Sequence, residues 1–272
     1  MENKNIKNHW ESWASEFQKD LRATTKTQTI KKLEINALVS AISKTEIKSG
    51  NILEIGCGNG FNCLSLAKSF PEINFTGIDF VDKMVENANL LAKELPSFIS
   101  SRLKYFVGDA LDLVNNGSLL ETYDILFTDR CLINLPTDEL QIKALDQIVL
   151  KVRKGGYFIM VENMIDLRKI QNRLRNKVGL NERNVPEYNH FMDENAVLEH
   201  LSKNNFNLQY TSDFGSLHDL MLYILVPMIN YGELKYDHPI VEAVTEFSLK
   251  NSDSNFEIKG VGQNRLYCFK KS

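Results

Sequence analysis

The stretch Leu53-Glu54-Ile55-Gly56-Cys57-Gly58-Asn59-Gly60 decides the fold of this chain. It joins a predicted strand at 51–55 to a predicted helix at 61–70 through three glycines at alternate positions. Glycine lets the backbone turn sharply and lets a ligand lie directly against main-chain atoms. The helix adds free N–H groups and a partial positive charge at its first turn. The stretch therefore predicts a site for an anionic group, either a phosphate or an amino-acid carboxylate.

The chain that follows repeats this alternation of strand and helix. Strands are predicted at 74–80, 103–108, 123–128 and 157–161 from their β-branched and aromatic residues. The intervening stretches have apolar residues at helical spacing, and the helix after the fourth strand is predicted to stop at Gly155-Gly156. This order favours right-handed crossovers and a mainly parallel sheet covered on both faces.

Two regions lie outside that alternation. The first holds a predicted helix at 30–47, and the second holds predicted helices at 193–203 and 216–230 with strands at 206–214 and 265–270. Neither region is joined to the rest by a long Pro/Ser linker. We therefore expect one domain over 1–272, with an N-terminal helical lid at 1–47, a core at 48–163, and a cap with sheet-closing strands at 164–272.

Composition excludes several classes of protein. The 272 residues carry a net charge of −3, which argues against a protein that mainly grips nucleic acid by its phosphates. The four cysteines form no C-x-x-C pair, so neither a metal site nor a disulfide framework is predicted. The polar N-terminus and reduced thiols predict a cytoplasmic protein. The apolar run 220–229 is too short to span a membrane and would suit a homodimer surface or a lid over an apolar pocket.

The glycine pattern separates two families of nucleotide-binding protein. The dinucleotide fingerprint G-x-G-x-x-G needs a third glycine for close helix–strand packing, and here that position is Phe61. The bulky side chain disfavours an NAD-linked oxidoreductase. The spacing of Glu54, Gly56, Gly58 and Gly60 instead resembles the first motif of class I S-adenosylmethionine-dependent methyltransferases.

The resemblance continues in the same order along residues 50–162. Gly77-Ile78-Asp79-Phe80 ends the second strand with an acid, which the family uses to hold both ribose hydroxyls. Phe106-Val107-Gly108-Asp109-Ala110 is similar to the motif whose acid receives the adenine amino group, and 124–130 to the motif whose end faces the transferred methyl. The stretch 154–158 resembles the loop before the fifth strand.

The resemblance implies a fold and a cofactor. The fold is α/β, a Rossmann-like three-layer sandwich with a mostly parallel seven-stranded sheet, its last strand antiparallel, and helical caps. The cofactor is S-adenosyl-L-methionine, which leaves as S-adenosyl-L-homocysteine. The cofactor-binding residues that it implies are Glu54, Gly56, Cys57, Gly58, Asn59, Gly60, Asp79, Phe80, Asp109, Ala110 and Asp129.

Some of these residues have ordinary structural alternatives. The glycines could form only a tight turn, and Asp79 and Asp109 could each cap a helix. Asp129 and Arg130 could form a surface ion pair. We nevertheless take Asp129 and Arg130 as catalytic candidates, because the ends of parallel strands hold the ligands of open sheets. Glu162 ends the fifth strand at the same edge.

Two further candidates lie outside the motifs. His190 belongs to the inserted region and is the candidate general base, with a surface histidine as the alternative. Trp10, Trp13 and Phe17 at helical spacing could form a mobile lid, with Arg22 pairing with the methionine carboxylate. Simple core packing of the tryptophans is the alternative.

The acceptor is the least determined part of the function. A basic stretch could be a solvated helix face or could attract an anionic acceptor; its members are Arg168, Lys169, Arg173, Arg175, Lys177 and Arg183. We expect methyl transfer to an oxygen or nitrogen of a small, anionic or sugar-like acceptor, with no nucleic-acid partner. An RNA or protein methyltransferase and a non-catalytic S-adenosylmethionine-binding module remain the alternatives.

Overall fold

The computed structural model describes residues 3–25, 27–252 and 258–272, with side chains from residue 5 onward. Its strands are β1 Gly50–Ile55, β2 Ile73–Asp79, β3 Leu103–Val107, β4 Tyr123–Asp129, β5 Val152–Asn163, β6 Phe206–Ser212 and β7 Asn264–Lys271. These seven strands form one sheet in the order β3-β2-β1-β4-β5-β7-β6, parallel except for β7, which runs antiparallel to both of its neighbours. The predicted fold class is confirmed.

Helices cover both faces of the sheet. Short 3₁₀ turns at Leu21–Ala23 and Leu132–Asn134 join some of them, and Met221–Leu225 forms a π-helical turn. The helices are α1 Asn3–Phe17, α2 Gln28–Lys44, α3 Phe61–Ser69, α4 Asp82–Lys93, α5 Ser97–Ser100, α6 Asp138–Lys151, α7 Ile165–Lys177, α8 Glu194–Lys203, α9 Ser216–Leu220, α10 Val226–Ile229 and α11 Pro239–Lys250.

The central strands are apolar on both sides because both of their faces are buried. Ile125 and Phe127 of β4 pack into the cluster that holds α2, α3 and α4, whereas Leu126 between them packs into the cluster that holds α6 and α8. Successive side chains of a strand point to opposite faces, so a strand covered twice needs a continuous apolar run.

Three local predictions differ from the structure. Helix α6 ends at Lys151 rather than at Gly155-Gly156, because the chain has already joined the sheet at Val152 and the glycines lie inside β5. The predicted single helix at 216–230 is interrupted by the π-helical turn. Helix α11, which packs against α2, was not predicted.

The strand order places a crevice at one edge of the sheet. Starting from β1, the chain builds β2 and β3 on one side and then β4 and β5 on the other. The loops after β1 and β4 therefore diverge at the carboxyl ends of two adjacent strands, which is where open α/β sheets bind ligands. Within the described residues, no helix has the length and apolar character needed to cross a membrane.

Candidate active site

A cavity of about 550 Å³ lies at this edge of the sheet. The glycine loop after β1 and the ends of β2 and β4 form one part of its wall. Helix α1, the inserted residues after β5, and Thr24, Thr25, Thr27, Ile30 and Lys31 form most of the rest. The sequence-predicted residues in the wall are Gly56, Cys57, Gly58, Asn59, Asp79, Phe80, Asp109, Ala110, Asp129 and Arg130.

The glycine loop has backbone angles that favour glycine. Gly56, Gly58 and Gly60 have φ values of 72°, 53° and 82°, in the left-handed region. A Cβ atom on Gly56 would lie 2.4 Å from the Sγ atom of Cys131, so a side chain there would displace the start of the loop after β4. Helix α3 begins at the next residue, Phe61, and its first turn closes the loop.

Asp79 holds the glycine loop and also faces the cavity. Its Oδ2 accepts a hydrogen bond from the backbone N–H of Gly58 at 2.9 Å, and its Oδ1 accepts one from Val81 at 2.9 Å. Burial raises the pKa of this carboxyl to about 6, although these hydrogen bonds favour the ionised form. Each oxygen keeps a lone pair that can accept from a ribose hydroxyl.

The residues around Asp79 fit the remaining parts of S-adenosylmethionine. Phe80, Met84 and Ala110 form an apolar wall beside Asp109, which suits a purine ring next to a hydrogen-bond acceptor. Asp129 Oδ1 is buried and accepts no hydrogen bond within the described residues, so it is available to an ammonium group. This arrangement would hold the adenosyl and methionine ends of the cofactor.

Glu54 has a different position from the other motif residues. It is fully buried beneath the cavity and is not part of its wall. Its Oε1 accepts from Asn62 Nδ2 at 2.8 Å, and its Oε2 accepts from the thiol of Cys63 at 3.0 Å. Burial raises the pKa of Glu54 to about 7. Glu54 therefore fastens the first turn of α3 to β1 and does not line the cofactor cavity.

Four charged side chains surround the end of β4; Lys31, Glu34 and Asp129 are buried, and Arg130 is half-buried. Lys31 Nζ lies 2.5 Å from Asp129 Oδ2 and 2.8 Å from Glu34 Oε2, and Arg130 Nε lies 2.8 Å from Glu34 Oε1. Burial acts to raise the pKa of Asp129, but Lys31 and Arg130 outweigh it and lower that pKa. Asp129 is therefore a paired carboxylate rather than a ready proton acceptor. Its close partner is the buried Lys31, whereas the half-buried Arg130 lies 3.9 Å away through Nε.

Lys31 and Glu34 are functional-site residues that the motifs do not reveal, although the sequence carries a signal for them. Both lie on the buried face of α2, between apolar residues such as Ile30 and Leu38. A lysine and a glutamate three positions apart on a face otherwise apolar are rarely buried unless they are paired. Their position on α2 brings them to Asp129, which is about one hundred residues away in sequence.

The N-terminal helix covers the cavity. Ile6, Lys7, Trp10 and Trp13 all contribute to the cavity wall. Asn59 of the glycine loop donates through Nδ2 to the backbone carbonyl oxygen of Asp20 at 2.8 Å, which ties the end of this segment to the cofactor loop. The geometry agrees with the lid hypothesis, because the tryptophans face the cavity as well as packing on one another.

Arg22 does not reach the cavity. Its Nε lies 2.9 Å from Asp20 Oδ1, its guanidinium lies over the ring of Phe17, and its side chain is 58% exposed. A side chain turned outward in this way cannot meet the methionine carboxylate in this conformation. The structure therefore does not support the predicted role of Arg22 in binding the methionine carboxylate, because its guanidinium pairs with the carboxylate of Asp20 instead.

His190 and Glu162 are also directed away from the cavity. The His190 Nε2 atom lies 2.7 Å from Asp138 Oδ1, at a side chain that is 41% exposed. Glu162 Oε1 accepts from the backbone N–H groups of Cys131 and Leu132, so it caps the turn after β4. His190 is thus a surface histidine, as its alternative stated, and neither residue contacts the cavity.

A buried chain of hydrogen bonds ends at the cavity wall. Thr27 Oγ1 lies 2.6 Å from Thr29 Oγ1, which lies 2.9 Å from His218 Nε2, and His218 Nδ1 lies 2.9 Å from Asp219 Oδ1. All four residues are buried, and Thr27 is in the wall. The sequence signal for His218 is weak, because its partner Thr29 lies about 190 residues away in the chain.

The basic stretch is not uniformly solvated. Arg173 and Lys177 are exposed, whereas Arg168 and Arg175 are buried. Arg168 and Arg183 contribute to the cavity wall formed by the insertion. Within the described residues, no cluster of His, Cys, Asp and Glu has the arrangement of a metal site.

Comparison with known proteins agrees with this geometry. Residues 47–219 match a family model described as a methyltransferase domain. The ribosomal RNA small subunit methyltransferase G of Staphylococcus haemolyticus is 32% identical over 113 residues, which are 41% of this chain and 42% of that protein. The same enzyme of Staphylococcus aureus strain Newman is 29% identical over 114 residues. The chain thus matches about two fifths of the length of these curated relatives.

Solved structures show the same fold at low sequence identity. The N-methyltransferase NodS from Bradyrhizobium japonicum WM9, in complex with S-adenosyl-L-homocysteine, superimposes with a TM-score of 0.56 over 98% of both chains at 14% identity. The geranyl diphosphate C-methyltransferase from Streptomyces coelicolor A3(2) gives 0.59 over 89% of this chain and 79% of that chain at 12% identity.

The family match excludes an NAD-linked oxidoreductase, the alternative that Phe61 had already disfavoured. Phe61 lies in the cavity wall where the dinucleotide fingerprint has its third glycine. The matched residues include the glycine loop, the acids that end β2 and follow β3, and the end of β4. The chain belongs to the methyltransferase-domain family, the class I methyltransferases that use S-adenosylmethionine.

Proposed function

We propose that this chain transfers a methyl group from S-adenosylmethionine to an oxygen or nitrogen of a small, anionic or sugar-like acceptor. The observation that carries the proposal is that α1 and the insertion meet over the cavity and form a roof, of which Trp10, Trp13 and Tyr188 line the cavity. His9 of α1 stacks on Tyr188 of the insertion, so two segments far apart in sequence meet above the carboxyl ends of the strands. A roof of this kind suits a small molecule held beneath it better than a segment of a long polymer.

Charge also favours a small acceptor over RNA. The chain is acidic overall, with a net charge of −3, whereas proteins that grip nucleic-acid phosphates usually carry a basic surface. Two of the arginines in the basic stretch are directed into the interior. Because some of the relatives are ribosomal RNA methyltransferases, the test below also includes RNA as an acceptor.

The residues of the chain mainly orient the reactants and exclude water. When bound, the cofactor supplies a methyl group on a sulfonium: the lone pair of the acceptor forms the new bond to carbon, and the S–C pair returns to sulfur. Asp79 and the glycine loop would fix the cofactor, and the roof would hold the acceptor in line and keep water out. Trp10 and Trp13 add aromatic surface to that roof.

An acceptor hydroxyl or ammonium must also lose a proton. A carboxylate only accepts hydrogen bonds, so His218 Nδ1–H donates to Asp219 and His218 Nε2 accepts from the Thr29 hydroxyl. The Thr29 oxygen in turn accepts from the Thr27 hydroxyl. The Thr27 oxygen can then accept the proton of the acceptor, while Thr27 passes its own to Thr29 and Thr29 passes its own to His218. Asp219 stabilises the imidazolium that forms.

The test is transfer of radiolabelled methyl from S-adenosylmethionine to a panel of candidate acceptors. The panel contains sugar phosphates, nucleotide sugars, small carboxylates, deproteinised ribosomal RNA and an acid-precipitated protein fraction. We expect label in one or more of the small acceptors and none in the two polymers. Label confined to RNA or protein would contradict the proposal. Cofactor binding without turnover on an exhaustive small-molecule panel would favour the non-catalytic binding module.

A further inference from the structure

Arg168 and Arg183 lie together in the cavity wall that the insertion forms. Arg168 is in α7, Arg183 is in the loop that follows it, and both face the cavity with Gln263. Gln263 Oε1 accepts from Arg168 Nη2 at 2.7 Å and from Arg183 Nη1 at 3.5 Å. One neutral side chain thus holds two guanidinium groups close to each other.

Arg168 is buried without a sufficient set of partners. Its residue surface is 4% exposed, and its Nε and Nη1 atoms are buried and donate no hydrogen bond within the described residues. Burial and the neighbouring Arg183 lower the pKa of Arg168 to about 10. A buried cation with unused donors is costly unless something pairs with it.

Arg183 adds a second positive charge on an aromatic support. Its guanidinium carbon lies 3.4 Å from the centre of the Tyr223 ring, and its Nη1 donates to Gln171 Oε1 at 2.6 Å. Within residues 3–25, 27–252 and 258–272, no salt bridge joins Arg183 or Arg168 to a carboxylate. Both positive charges are therefore held in place by neutral groups.

Two neighbouring arginines, one buried in the insertion and one half-buried in β7, have protein partners. Arg175, on the same helix as Arg168, donates to the backbone carbonyl oxygens of Asn181 and Tyr223 and does not line the cavity. Arg265 pairs with Asp213 and Glu194. Arg175 and Arg265 thus satisfy their charge within the protein, whereas Arg168 keeps unused donors at the cavity. This contrast indicates that Arg168 and Arg183 have a role other than stabilising the fold.

We propose that Arg168 and Arg183 form a subsite for a phosphate group of the acceptor. Two guanidinium groups present flat pairs of N–H donors that match phosphate oxygens, and two positive charges match a dianion better than a monoanion. The proposal rests on the proposed function, because it assigns this subsite to the acceptor, and it narrows the acceptor to phosphorylated small molecules.

The test is calorimetric titration of inorganic phosphate and pyrophosphate into the full chain, with and without S-adenosylhomocysteine, at constant ionic strength. The variants are Arg168→Gln and Arg183→Gln, and the control is Arg173→Gln, which removes an exposed arginine from the same helix. We expect each cavity variant to weaken phosphate binding by about tenfold or more. The control should bind phosphate as the wild type does, and acetate should bind to none of them.

Equal phosphate binding by the wild type and both cavity variants would overturn the subsite, as would acetate binding as tight as that of phosphate. If Arg168→Gln unfolds, Arg183→Gln decides, because Arg183 is less buried. Affinity for S-adenosylhomocysteine is measured in the same samples and should not change in either variant. A protein that binds phosphate but no S-adenosylhomocysteine would contradict the proposed function and leave the subsite intact.

Discussion

The imidazole ring of His9 stacks on the phenol ring of Tyr188 with 4.2 Å between ring centres and 15° between ring planes. His9 belongs to α1, and Tyr188 belongs to the insertion after α7. Trp10 meets the same phenol ring edge-on, with ring centres 5.9 Å apart. Helix α1 and the insertion, which flank the cofactor-binding core, therefore contact each other above the site, and each stabilises the position of the other.

The Tyr188→Ala substitution should loosen this roof and weaken cofactor binding. Aromatic pairs contribute roughly 0.5–1.5 kcal/mol beyond the area they bury, so we expect S-adenosylhomocysteine affinity to fall by about three- to tenfold. Isothermal titration calorimetry measures the change. Tyr231→Ala is the matched control, because Tyr231 is fully exposed. Equal affinity in the two variants would mean that the stack does not hold the roof over the cofactor.

Removing residues 1–25 extends the same argument to the whole lid. The deletion takes away Trp10, Trp13 and the segment bound by Asn59, so we expect S-adenosylhomocysteine binding to be lost. Circular dichroism and thermal unfolding show whether the sheet is still folded. A folded truncated protein that binds with unchanged affinity would exclude a lid and leave core packing as the role of the tryptophans.

Substitutions of Asn59 and Arg22 test two ways in which the lid could support cofactor binding: through the hydrogen bonds of Asn59, or through a contact of Arg22 with the methionine carboxylate. Asn59→Ala removes the donors to the carbonyl oxygens of Gln18 and Asp20 and should lower S-adenosylhomocysteine affinity by about fivefold. Arg22→Ala should leave that affinity unchanged, because Arg22 is turned toward Asp20 at the surface. A larger loss in Arg22→Ala than in Asn59→Ala would restore Arg22 as the partner of the methionine carboxylate.

Glu54 makes stability depend on pH in a direction that can be checked. Its pKa is raised by burial from 4.5 to about 7, so the folded state favours the protonated carboxyl. The resulting stabilisation is complete below about pH 4.5 and is lost as pH rises through 7. The shift corresponds to about 3 kcal/mol of unfolding free energy.

Urea unfolding at pH 5, 6, 7 and 8 tests this dependence against Glu54→Gln. A neutral glutamine does not titrate, so the unfolding free energy of the wild type should decline relative to that of the variant as pH rises. Glu72→Gln, an exposed substitution, should follow the wild type at every pH. A constant difference between the wild type and Glu54→Gln across this range would contradict the raised pKa.

The sequence predicts the fold well because its signal is local and periodic. The glycine loop, the acid Asp79 and the apolar strands each follow from a few neighbouring residues. The site is harder to predict because its partners come from distant segments. Lys31 meets Asp129 through the placement of α2, and His190 forms its side-chain pair with Asp138, a partner that no spacing in the sequence reveals.

Thr27 gives the sharpest test of the proton path. Thr27→Val keeps the shape of the side chain but removes the hydroxyl that links the cavity to Thr29 and His218. With an acceptor that is methylated in the panel above, we expect kcat to fall by about a hundredfold while KM changes little. Thr27→Ser restores a hydroxyl at the same position and should recover most of the wild-type kcat.

The solvent isotope effect distinguishes proton transfer through Thr27 from a structural role of the same hydrogen bonds. If the proton leaves through the Thr27–Thr29–His218 chain during the slow step, kcat of the wild type and of Thr27→Ser should decrease in heavy water. In Thr27→Val and in His218→Gln, the isotope effect on kcat should differ from that of the wild type, because the proton then leaves by another route. An unchanged isotope effect in all four proteins, or variants that change KM but not kcat, would mean that these hydrogen bonds only hold Thr27 and Thr29 near α9.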